Sequence, residues 1–211
     1  MNKPEILFED KYLLVVNKPA GILSYPLPKS EEKTIGDIVG ALPVHRLDRD
    51  TSGVMILAKD KNTKALMQKQ FAERKIEKEY ISLVWGKVEP EKGEIKIPLG
   101  RGSKDRLKIV PSSSGRESHT VYRVVSYFPG SNLSLVELDL KTGRTHQIRV
   151  HMSAIGHPVV GDKKYSNKNT ELQRQFLHAQ KIIFSHPITK KEVIVKSKLP
   201  NDLNLFLKNV K

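Results

Sequence analysis

A polar, charge-dense stretch that leads directly into an apolar segment of strand length is the feature that most constrains this chain. Residues 44–53 (VHRLDRDTSG) place three arginine or histidine side chains, two carboxylates and two hydroxyls in ten positions. Residues 54–58 (VMILA) are apolar throughout and predict a buried strand. Loops held by a rigid scaffold are where binding and catalytic groups concentrate, so the stretch is a candidate functional loop. A purely structural interpretation, with the aspartates as turn and capping residues and the arginines as surface partners, stays open.

The charge balance points to a polyanionic partner. Lys and Arg outnumber Asp and Glu by 37 to 23, which gives a formal net charge of +14 and an isoelectric point near 9.8. Most of the excess lies in the last third of the chain, where residues 141–211 contain fourteen Lys and Arg against four Asp and Glu. Such a field favours nucleic acid as the partner, with an anionic membrane surface as the second choice.

The sequence also excludes several classes of protein. It has no cysteine, which rules out disulfides, thiolate nucleophiles and Cys-ligated zinc. It has no His-Glu-x-x-His motif, and His146 and His151 are five residues apart, so metal-dependent hydrolysis is disfavoured. A kinase catalytic loop is excluded because Leu47 separates Arg46 from Asp48 and no glycine-rich phosphate loop occurs. We expect neither a metal nor a cofactor.

The apolar periodicity predicts many short strands and a few helices. The length of 211 residues fits one domain, or two lobes on a shared sheet. Helices are predicted from Thr34 to Gly40, from an Asp60 cap to about Arg74, and over 202–210. The predicted strands cover residues 6–8, 12–16, 54–58, 78–86, 119–128 and 133–140, and residues 175–187 are predicted to form a late strand or a strand pair.

A second chemically rich segment is 141–152 (KTGRTHQIRVHM). A helix is predicted here that begins at about Arg144 and ends at Gly156. The helical period would place four residues on one face, namely Arg144, Ile148, His151 and Ile155.

These segments resemble the RluA-type pseudouridine synthases, enzymes that isomerise uridine in structured RNA without a cofactor. Residues 45–53 match the HRLD-x-x-TSG signature of that family, and residues 142–151 match its TGR-[ST]-HQ-[IL]-R-x-H segment. Residues 17–21 (NKPAG) match its N-terminal motif, which supports the active-site cleft, and Tyr80 matches the tyrosine of its K-x-Y strand. The resemblance covers about residues 6–190.

The resemblance implies that Asp48 is the catalytic nucleophile, that Tyr80 lies against the target uracil and that Arg144 supports the carboxylate. Burial alone would raise the pKa of Asp48 and protonate it, whereas a guanidinium within hydrogen-bonding reach opposes that shift. Arginine suits this role better than lysine because its planar fork matches a carboxylate and keeps its proton. Whether Asp48 attacks C1′, attacks the base or removes the ribose 2′ proton stays open. For Tyr80, simple packing within a sheet is the alternative.

The flipping and holding of the uridine give three further candidate substrate-binding residues. A stacked uridine must be flipped out of the RNA at a cost of a few kcal/mol, and a side chain that fills the vacated place lowers this cost. Arg46 and His45, next to the implied nucleophile, are the candidates for this role, although Arg46 could instead bind phosphate. Ile148 is the candidate for an apolar wall below the uracil ring.

The fold that the resemblance implies is α+β, a mixed and mainly antiparallel bent sheet flanked by helices and loops. We expect residues 1–211 to form a single catalytic domain with no N-terminal RNA-binding accessory domain. No apolar run approaches the ~18 residues of a membrane span, and we expect a cytoplasmic monomer that binds structured RNA, ribosomal or transfer, and no membrane. The stretch 100–118 is predicted to be a hairpin or loop that is either ordered by RNA or simply solvated. Its basic residues are Arg101, Lys104, Arg106, Lys108 and Arg116.

Two other functions stay open on the sequence alone. A non-catalytic RNA-binding module would account for the charge and the loop. It gives no reason for Asp48, Tyr80 and Arg144 to occur together. A base-excising glycosidase would be distinguished by free uracil among its products.

Overall fold

The computed structural model describes residues 4–28, 30–103, 105–106 and 108–211. This part of the chain is α+β, with four helices and strands that pair mostly in antiparallel fashion. The strands Ser52–Ala58 and Leu177–Ser185 pair in parallel fashion, so the sheet is mixed, and the fold class that the resemblance implies is confirmed. The chain divides into two compact units. Unit 1 is the chain up to Lys78 together with His178–Leu199, and unit 2 is Glu79–Leu177 together with Pro200–Lys211.

The strands and helices have the following bounds. The strands are β1 (Glu5–Glu9), β2 (Leu13–Lys18), β3 (Leu42–Pro43), β4 (Ser52–Ala58), β5 (Glu77–Trp85), β6 (Lys92–Ile95), β7 (Leu99–Arg101), β8 (Ile109–Pro111), β9 (Thr120–Phe128), β10 (Leu133–Leu140), β11 (Leu177–Ser185) and β12 (Glu192–Lys196). The helices are α1 (Ile35–Val39), α2 (Lys61–Ala72), α3 (Gln147–Ala154) and α4 (Asn201–Lys208).

Unit 1 is built around β4, the strand that follows the candidate loop. On one side β4 pairs with β2 in antiparallel fashion, and on the other it pairs with β11 in parallel fashion. Strands β1 and β12 extend this array as antiparallel partners of β2 and β11. All seven residues of β4 are buried, which confirms the predicted buried strand. Met67 of α2 packs into the same core as Ile56 of β4 and Phe184 of β11.

Unit 2 contains an antiparallel group in the order β5-β10-β9-β6 and a separate hairpin, β7–β8. In β10 the alternation predicted from the sequence is confirmed, since Val136 and Leu138 are buried and their acidic neighbours are half-buried. Tyr80 of β5 lies opposite Leu138 of β10. The β7–β8 hairpin falls within the basic stretch 100–118, as predicted, whereas Lys104 of that stretch lies outside the described residues.

The structure differs from the sequence prediction at β3, β6 and β12, which are not among the predicted strands, and at the start of α3. The segment 175–187 forms the single strand β11, and its partner β12 is not among the predicted strands. Only Val195 of β12 is buried, so this edge strand has too weak an apolar pattern to be recognised. Helix α3 begins at Gln147, which leaves Arg144 outside it. Within the described ranges, no helix is long and apolar enough to cross a membrane.

Candidate active site

The candidate loop of unit 1 connects β3 to β4 and carries Asp48, which is half-buried. The carbonyl oxygen of Asp48 accepts a hydrogen bond from the N–H of Thr51 at 3.1 Å, which closes a four-residue turn. On the other side, the Ser24 hydroxyl donates to the carbonyl of Leu47 at 2.8 Å and accepts from its N–H at 3.0 Å. The backbone is therefore held by hydrogen bonds on both sides of Asp48.

Lys18, in the NKPAG segment, is the buried support of this loop. Its side chain is 0% exposed, and its ammonium donates to the carbonyl oxygens of Pro19 (2.9 Å), Ile22 (2.9 Å) and Arg49 (3.0 Å). The N–H of Gly21 also donates to the carbonyl of Arg49, at 2.9 Å. A buried ammonium is costly unless its N–H groups find acceptors. The N-terminal motif and the candidate loop therefore depend on each other for their conformation.

The last two residues of the TSG motif serve the contact between β4 and β11. Ser52 Oγ lies 2.9 Å from Nδ1 of His178. Gly53 has a φ of +120° and faces Ala179 so closely that a Cβ would lie 2.2 Å from the Ala179 carbonyl oxygen. No side chain fits between the two strands at this point. This half of the motif is therefore a requirement of sheet packing.

His45 and Arg46 occupy different environments. The N–H of Ile56 donates to Nε2 of His45 at 2.9 Å, and the His45 ring stacks on Phe71 with the ring centroids 4.7 Å apart. Burial lowers the pKa of His45 from 6.5 to about 3, and the charge of Lys78 adds to this shift, so the imidazole is neutral. Arg46 is exposed. The ring of His45 is held by its hydrogen bond to the backbone of β4, whereas the side chain of Arg46 is exposed to solvent.

Tyr80 and Ile148, in unit 2, are both buried. Tyr80 is 7% exposed on β5 and Ile148 is 3% exposed in the first turn of α3. Ser82, two residues after Tyr80 on the same strand, is also buried and donates its hydroxyl to the carbonyl of Phe176 at 2.8 Å. Sheet packing accounts for the burial of Tyr80, and its place against the uracil stays a prediction.

Arg144 lies in the turn between β10 and α3, so the prediction of a helix from about Arg144 is wrong. The physical reason is His146, which adopts the left-handed conformation with a φ of +55°. A left-handed residue cannot continue a right-handed helix. Arg144 and Ile148 therefore do not share a helix face. The half-buried Arg144 side chain donates from Nε to the carbonyl of Glu117 at 3.0 Å.

The buried side chain of Gln147 holds this turn in place. Its Oε1 accepts hydrogen bonds from the N–H of Arg144 (2.9 Å) and the hydroxyl of Thr142 (2.8 Å). Its Nε2 donates to the carbonyl of His119 and to the hydroxyl of Thr120, both at 3.0 Å. One buried amide thus satisfies four polar groups and ties the Arg144 turn to the start of β9.

The other polar residues of this segment anchor α3. Arg149 and Asp162 form a buried bidentate pair, with Nε–Oδ2 and Nη2–Oδ1 distances of 2.7 and 2.8 Å. Burial by itself would raise the pKa of Asp162. The hydrogen bonds and the charge of Arg149 lower this pKa by more than burial raises it, so the pKa of Asp162 lies below its ordinary value. His151 lies 2.9 Å from the hydroxyl of Thr120, and burial lowers its pKa. The sequence signals for these supporting roles are the presence of polar residues within apolar runs and, for Gln147, Arg149 and His151, their place in the segment 142–151 that matches the family motif.

The predicted site residues thus fall into two local sets. Within the described residues, no group of three or more His, Cys, Asp or Glu side chains could hold a metal ion. The pairing of a unit 1 carboxylate with a unit 2 guanidinium stays a prediction. In unit 1 the predicted residues are His45, Arg46 and Asp48, and in unit 2 they are Tyr80, Arg144 and Ile148.

The protein family described as RNA pseudouridylate synthase matches residues 12–154, more than half of the chain. The chain belongs to the RNA pseudouridylate synthase family. Members of this class are isomerases that convert uridine to pseudouridine in RNA. The family match therefore confirms the predicted enzyme class and disfavours the non-catalytic RNA-binding module.

Curated relatives of this RNA pseudouridylate synthase match it over most of its length. An uncharacterized RNA pseudouridine synthase of Bacillus subtilis (strain 168) is 36% identical, and the match covers 94% of this chain and 70% of the relative. The ribosomal large subunit pseudouridine synthase D of Zymomonas mobilis is 38% identical, with coverages of 97% and 72%. The dual-specificity RNA pseudouridine synthase RluA of Vibrio parahaemolyticus is 40% identical, with coverages of 87% and 78%. These names agree with the RluA-type motifs.

Solved structures of pseudouridylate synthase domains have the same fold. Human RNA pseudouridylate synthase domain containing 4 superposes with a TM-score of 0.81 at 28% identity, over 97% of this chain and 92% of that chain. Human RNA pseudouridylate synthase domain containing 1 gives a TM-score of 0.79 at 30% identity, with coverages of 93% and 84%. This RNA pseudouridylate synthase therefore shares its fold with two human pseudouridylate synthase domains.

Proposed function

We propose that Asp48 is the catalytic carboxylate of this pseudouridine synthase, that Tyr80 lies against the target uracil and that Arg144 keeps Asp48 ionised. The observation that carries the proposal is the family match over residues 12–154, which includes all three residues. The proposal is also supported by the two motifs, around Asp48 and Arg144, on which the resemblance to RluA-type enzymes rests.

The chemistry explains why these residue types suit the reaction. Formation of pseudouridine breaks the N-glycosidic bond, turns the uracil and joins its C5 to the ribose C1′. A carboxylate takes part in this only while it is ionised, and each unit by which burial raises a pKa corresponds to about 1.4 kcal/mol. A guanidinium opposes that shift without losing its own proton. Asp48 could attack C1′, attack the base or remove the ribose 2′ proton, and all three reactions use the same carboxylate.

The local structure within each unit supports the proposal because it fixes the backbone beside the proposed groups. In unit 1, Lys18 and Ser24 hold the loop on both sides of Asp48. In unit 2, Gln147 accepts the N–H of Arg144. Catalytic groups need supporting hydrogen bonds of this kind, since a misplacement of about 1 Å can cost roughly a hundredfold in rate.

We favour Arg46 over His45 as the side chain that fills the place vacated by a flipped uridine. Its side chain is exposed, whereas the ring of His45 accepts a hydrogen bond from the β4 backbone and stacks on Phe71. Release of His45 would leave the N–H of Ile56 without that acceptor. We retain Ile148 as the proposed apolar wall below the uracil ring, because it is almost fully buried and carries no polar group.

The proposed substrate is structured RNA, with ribosomal RNA as the first candidate and transfer RNA as the second. The Zymomonas relative is named for the large ribosomal subunit, and the Vibrio relative is named for dual specificity. The net charge of +14 supports binding of RNA through its phosphates. The affinity for RNA should therefore fall steeply as the salt concentration rises. Pseudouridine mapping of ribosomal and transfer RNA from cells with and without this protein would identify the target.

The proposal includes a cytoplasmic monomer in which residues 1–211 act as one catalytic domain. Light scattering at micromolar concentration should give the mass of one 23.9 kDa chain. Urea unfolding followed by tryptophan fluorescence and by circular dichroism should give one shared transition. A dimer mass, or two separate transitions, would contradict the corresponding expectation.

The test of the nucleophile uses RNA labelled with tritium at C5 of uridine, since the reaction releases that atom to water. We expect Asp48→Asn to abolish tritium release and to leave RNA affinity within a few-fold, because affinity comes mainly from phosphate contacts. Asp50→Asn is the matched control, since it removes the same charge from the same loop. Substantial release by Asp48→Asn, or equal losses in both variants, would show that the nucleophile is misassigned.

The test of the proposed ion pair is Arg144→Lys, which keeps the positive charge and removes the planar fork. We expect at least a tenfold loss of turnover, because an ammonium cannot reproduce two parallel hydrogen bonds to a carboxylate. Arg123→Lys, on the exposed part of β9, is the control. Wild-type turnover in Arg144→Lys would refute the role of the guanidinium.

A further inference from the structure

The side chain of Tyr165 connects the basic β7–β8 hairpin to the turn that precedes α3. Its hydroxyl accepts a hydrogen bond from the N–H of Ile109, the first residue of β8, at 3.1 Å. The same hydroxyl lies 2.8 Å from Nδ1 of His146, which precedes the first residue of α3. His146 is two residues after Arg144. A single phenol therefore touches the backbone of the hairpin and the segment that carries the proposed catalytic arginine.

The rest of Tyr165 is held firmly, so its hydroxyl has a defined position. Its N–H donates to Oδ1 of Asp162 at 3.1 Å, and its carbonyl accepts from the hydroxyl of Ser153 in α3 at 3.0 Å. The guanidinium of Arg149, which is itself paired with Asp162, lies 5.1 Å from the centre of the Tyr165 ring. The phenol ring is thus fixed to α3 by contacts that do not involve its hydroxyl.

His146 is the strained point of the connection. It is a non-glycine residue with a φ of +55°, and no side-chain hydrogen bond caps α3 at this position. Such conformations persist only where surrounding contacts impose them. The contact with Tyr165 is one of these. The carbonyl of Arg144 accepts from the N–H of Gln147 across His146 at 3.2 Å, so a rotation at His146 would shift Arg144.

Strand β8 of the hairpin lies against α3, and a cleft of about 250 Å³ beside them is lined in part by Lys108, Val150 and Tyr165. Tyr165 lines this cleft, and its hydroxyl holds the backbone of β8 through the N–H of Ile109. The hairpin also carries the exposed guanidinium groups of Arg101 and Arg106, which suit RNA phosphates. A shift of the hairpin on contact with RNA would therefore act on the hydroxyl of Tyr165.

We propose that Tyr165 is a positioning residue that couples RNA contact at the β7–β8 hairpin to the placement of Arg144. The proposal rests on the role of Arg144 put forward above. It deepens that role, because it names the residue through which bound RNA sets the catalytic turn. Tyr165 itself does not touch the reacting uridine.

The first test is Tyr165→Phe, which removes the hydroxyl and keeps the ring between its packing partners. We expect kcat to fall about five- to tenfold, with KM and the Kd for RNA within twofold of wild type. Tyr122→Phe is the matched control in the same unit, since its hydroxyl donates to the carbonyl of Pro90 at 3.3 Å, and it should keep wild-type kcat. An unchanged kcat in Tyr165→Phe, or a loss that follows RNA affinity or the unfolding midpoint, would overturn the proposal.

The second test is a double-mutant cycle at saturating RNA, with Arg101→Ala combined with Arg106→Ala as the hairpin variant. If contact at the hairpin acts through Tyr165, the hairpin variant lowers kcat in the wild-type background and not further in Tyr165→Phe. Independent effects that multiply would refute the coupling. Arg144→Lys separates the two hypotheses. Wild-type turnover in that variant refutes the proposed role of Arg144, whereas its inactivation with additive hairpin effects refutes only the role of Tyr165.

Discussion

Replacement of Gly53 by alanine is expected to destabilise unit 1 at the parallel contact between β4 and β11. Gly53 lies opposite Ala179 in the register of the two strands. A Cβ added to Gly53 would lie 2.2 Å from the carbonyl oxygen of Ala179 and 2.6 Å from its nitrogen. Because both atoms belong to the backbone, no side-chain rotation relieves the contact, and one strand must move away from the other.

The size of the effect follows from two separate costs. Overpacking a core typically costs about 1–3 kcal/mol. The φ of +120° at Gly53 lies in a region that side chains rarely adopt, which adds roughly 1–3 kcal/mol. The sum, about 2–6 kcal/mol, is a large share of the roughly 5–15 kcal/mol that stabilises a typical domain.

The assay is urea unfolding of Gly53→Ala beside Gly40→Ala as the control. Gly40 has a φ of +69°, and a Cβ there would meet no atom within 4 Å, so this variant isolates the backbone cost of roughly 1–2 kcal/mol. We expect Gly53→Ala to lose at least 1 kcal/mol more than Gly40→Ala. Equal losses would show that the approach of β11 to β4 is not as close as the structure indicates.

Two further predictions concern buried titratable side chains, namely His45 and the Arg149–Asp162 pair. Burial lowers the pKa of His45 from 6.5 to about 3 in the folded protein. Below pH 6.5, His45 is therefore protonated in the unfolded chain and stays neutral in the folded chain, which favours unfolding. The free energy of unfolding should fall by about 2 kcal/mol between pH 7 and pH 5 because of this group. His45→Gln should remove that part of the pH dependence in urea unfolding, and an unchanged slope would contradict the lowered pKa. Asp162→Asn should cost about 3–5 kcal/mol because the buried charge of Arg149 loses its partner. The control Asp202→Asn, at a 51% exposed carboxylate paired with Arg174, should cost at most about 1 kcal/mol, and similar losses in both variants would refute the distinction.

The parts of the fold that could be predicted are those in which local pattern and tertiary environment agree. Strand β10 alternates because one of its faces is buried and the other is half-buried, so its bounds follow from the apolar period. Helix α2 begins directly after Asp60 because the carboxylate of this N-cap residue accepts the N–H of Thr63 at 2.8 Å, a local interaction that the sequence pattern predicts.

The parts that could not be predicted depend on contacts between distant segments. The start of α3 is moved to Gln147 by the left-handed His146 and by hydrogen bonds to Thr120, and neither is visible in the periodicity. The role of Lys18 depends on a carbonyl 31 residues away along the chain. In the candidate site, the motifs indicated which residue types carry the chemistry, whereas the contacts through which Lys18 and Gln147 support the site became apparent only from the tertiary hydrogen bonds.

The parallel pairing of β4 with β11 also bears on the order in which the protein can be made and folded. Ser52 and its hydrogen-bonded neighbour His178 are 126 residues apart, and closing such a loop costs on the order of 4 kcal/mol in chain entropy. During synthesis, the Ser52–Gly53 end of that edge of β4 stays uncovered until β11 has left the ribosome, whereas β3 can already pair with Leu57 and Ala58 at the other end. An apolar strand with one bare edge is a site for mispairing and aggregation. The nascent chain is thus most vulnerable to chaperone capture in the interval before residue 178 emerges.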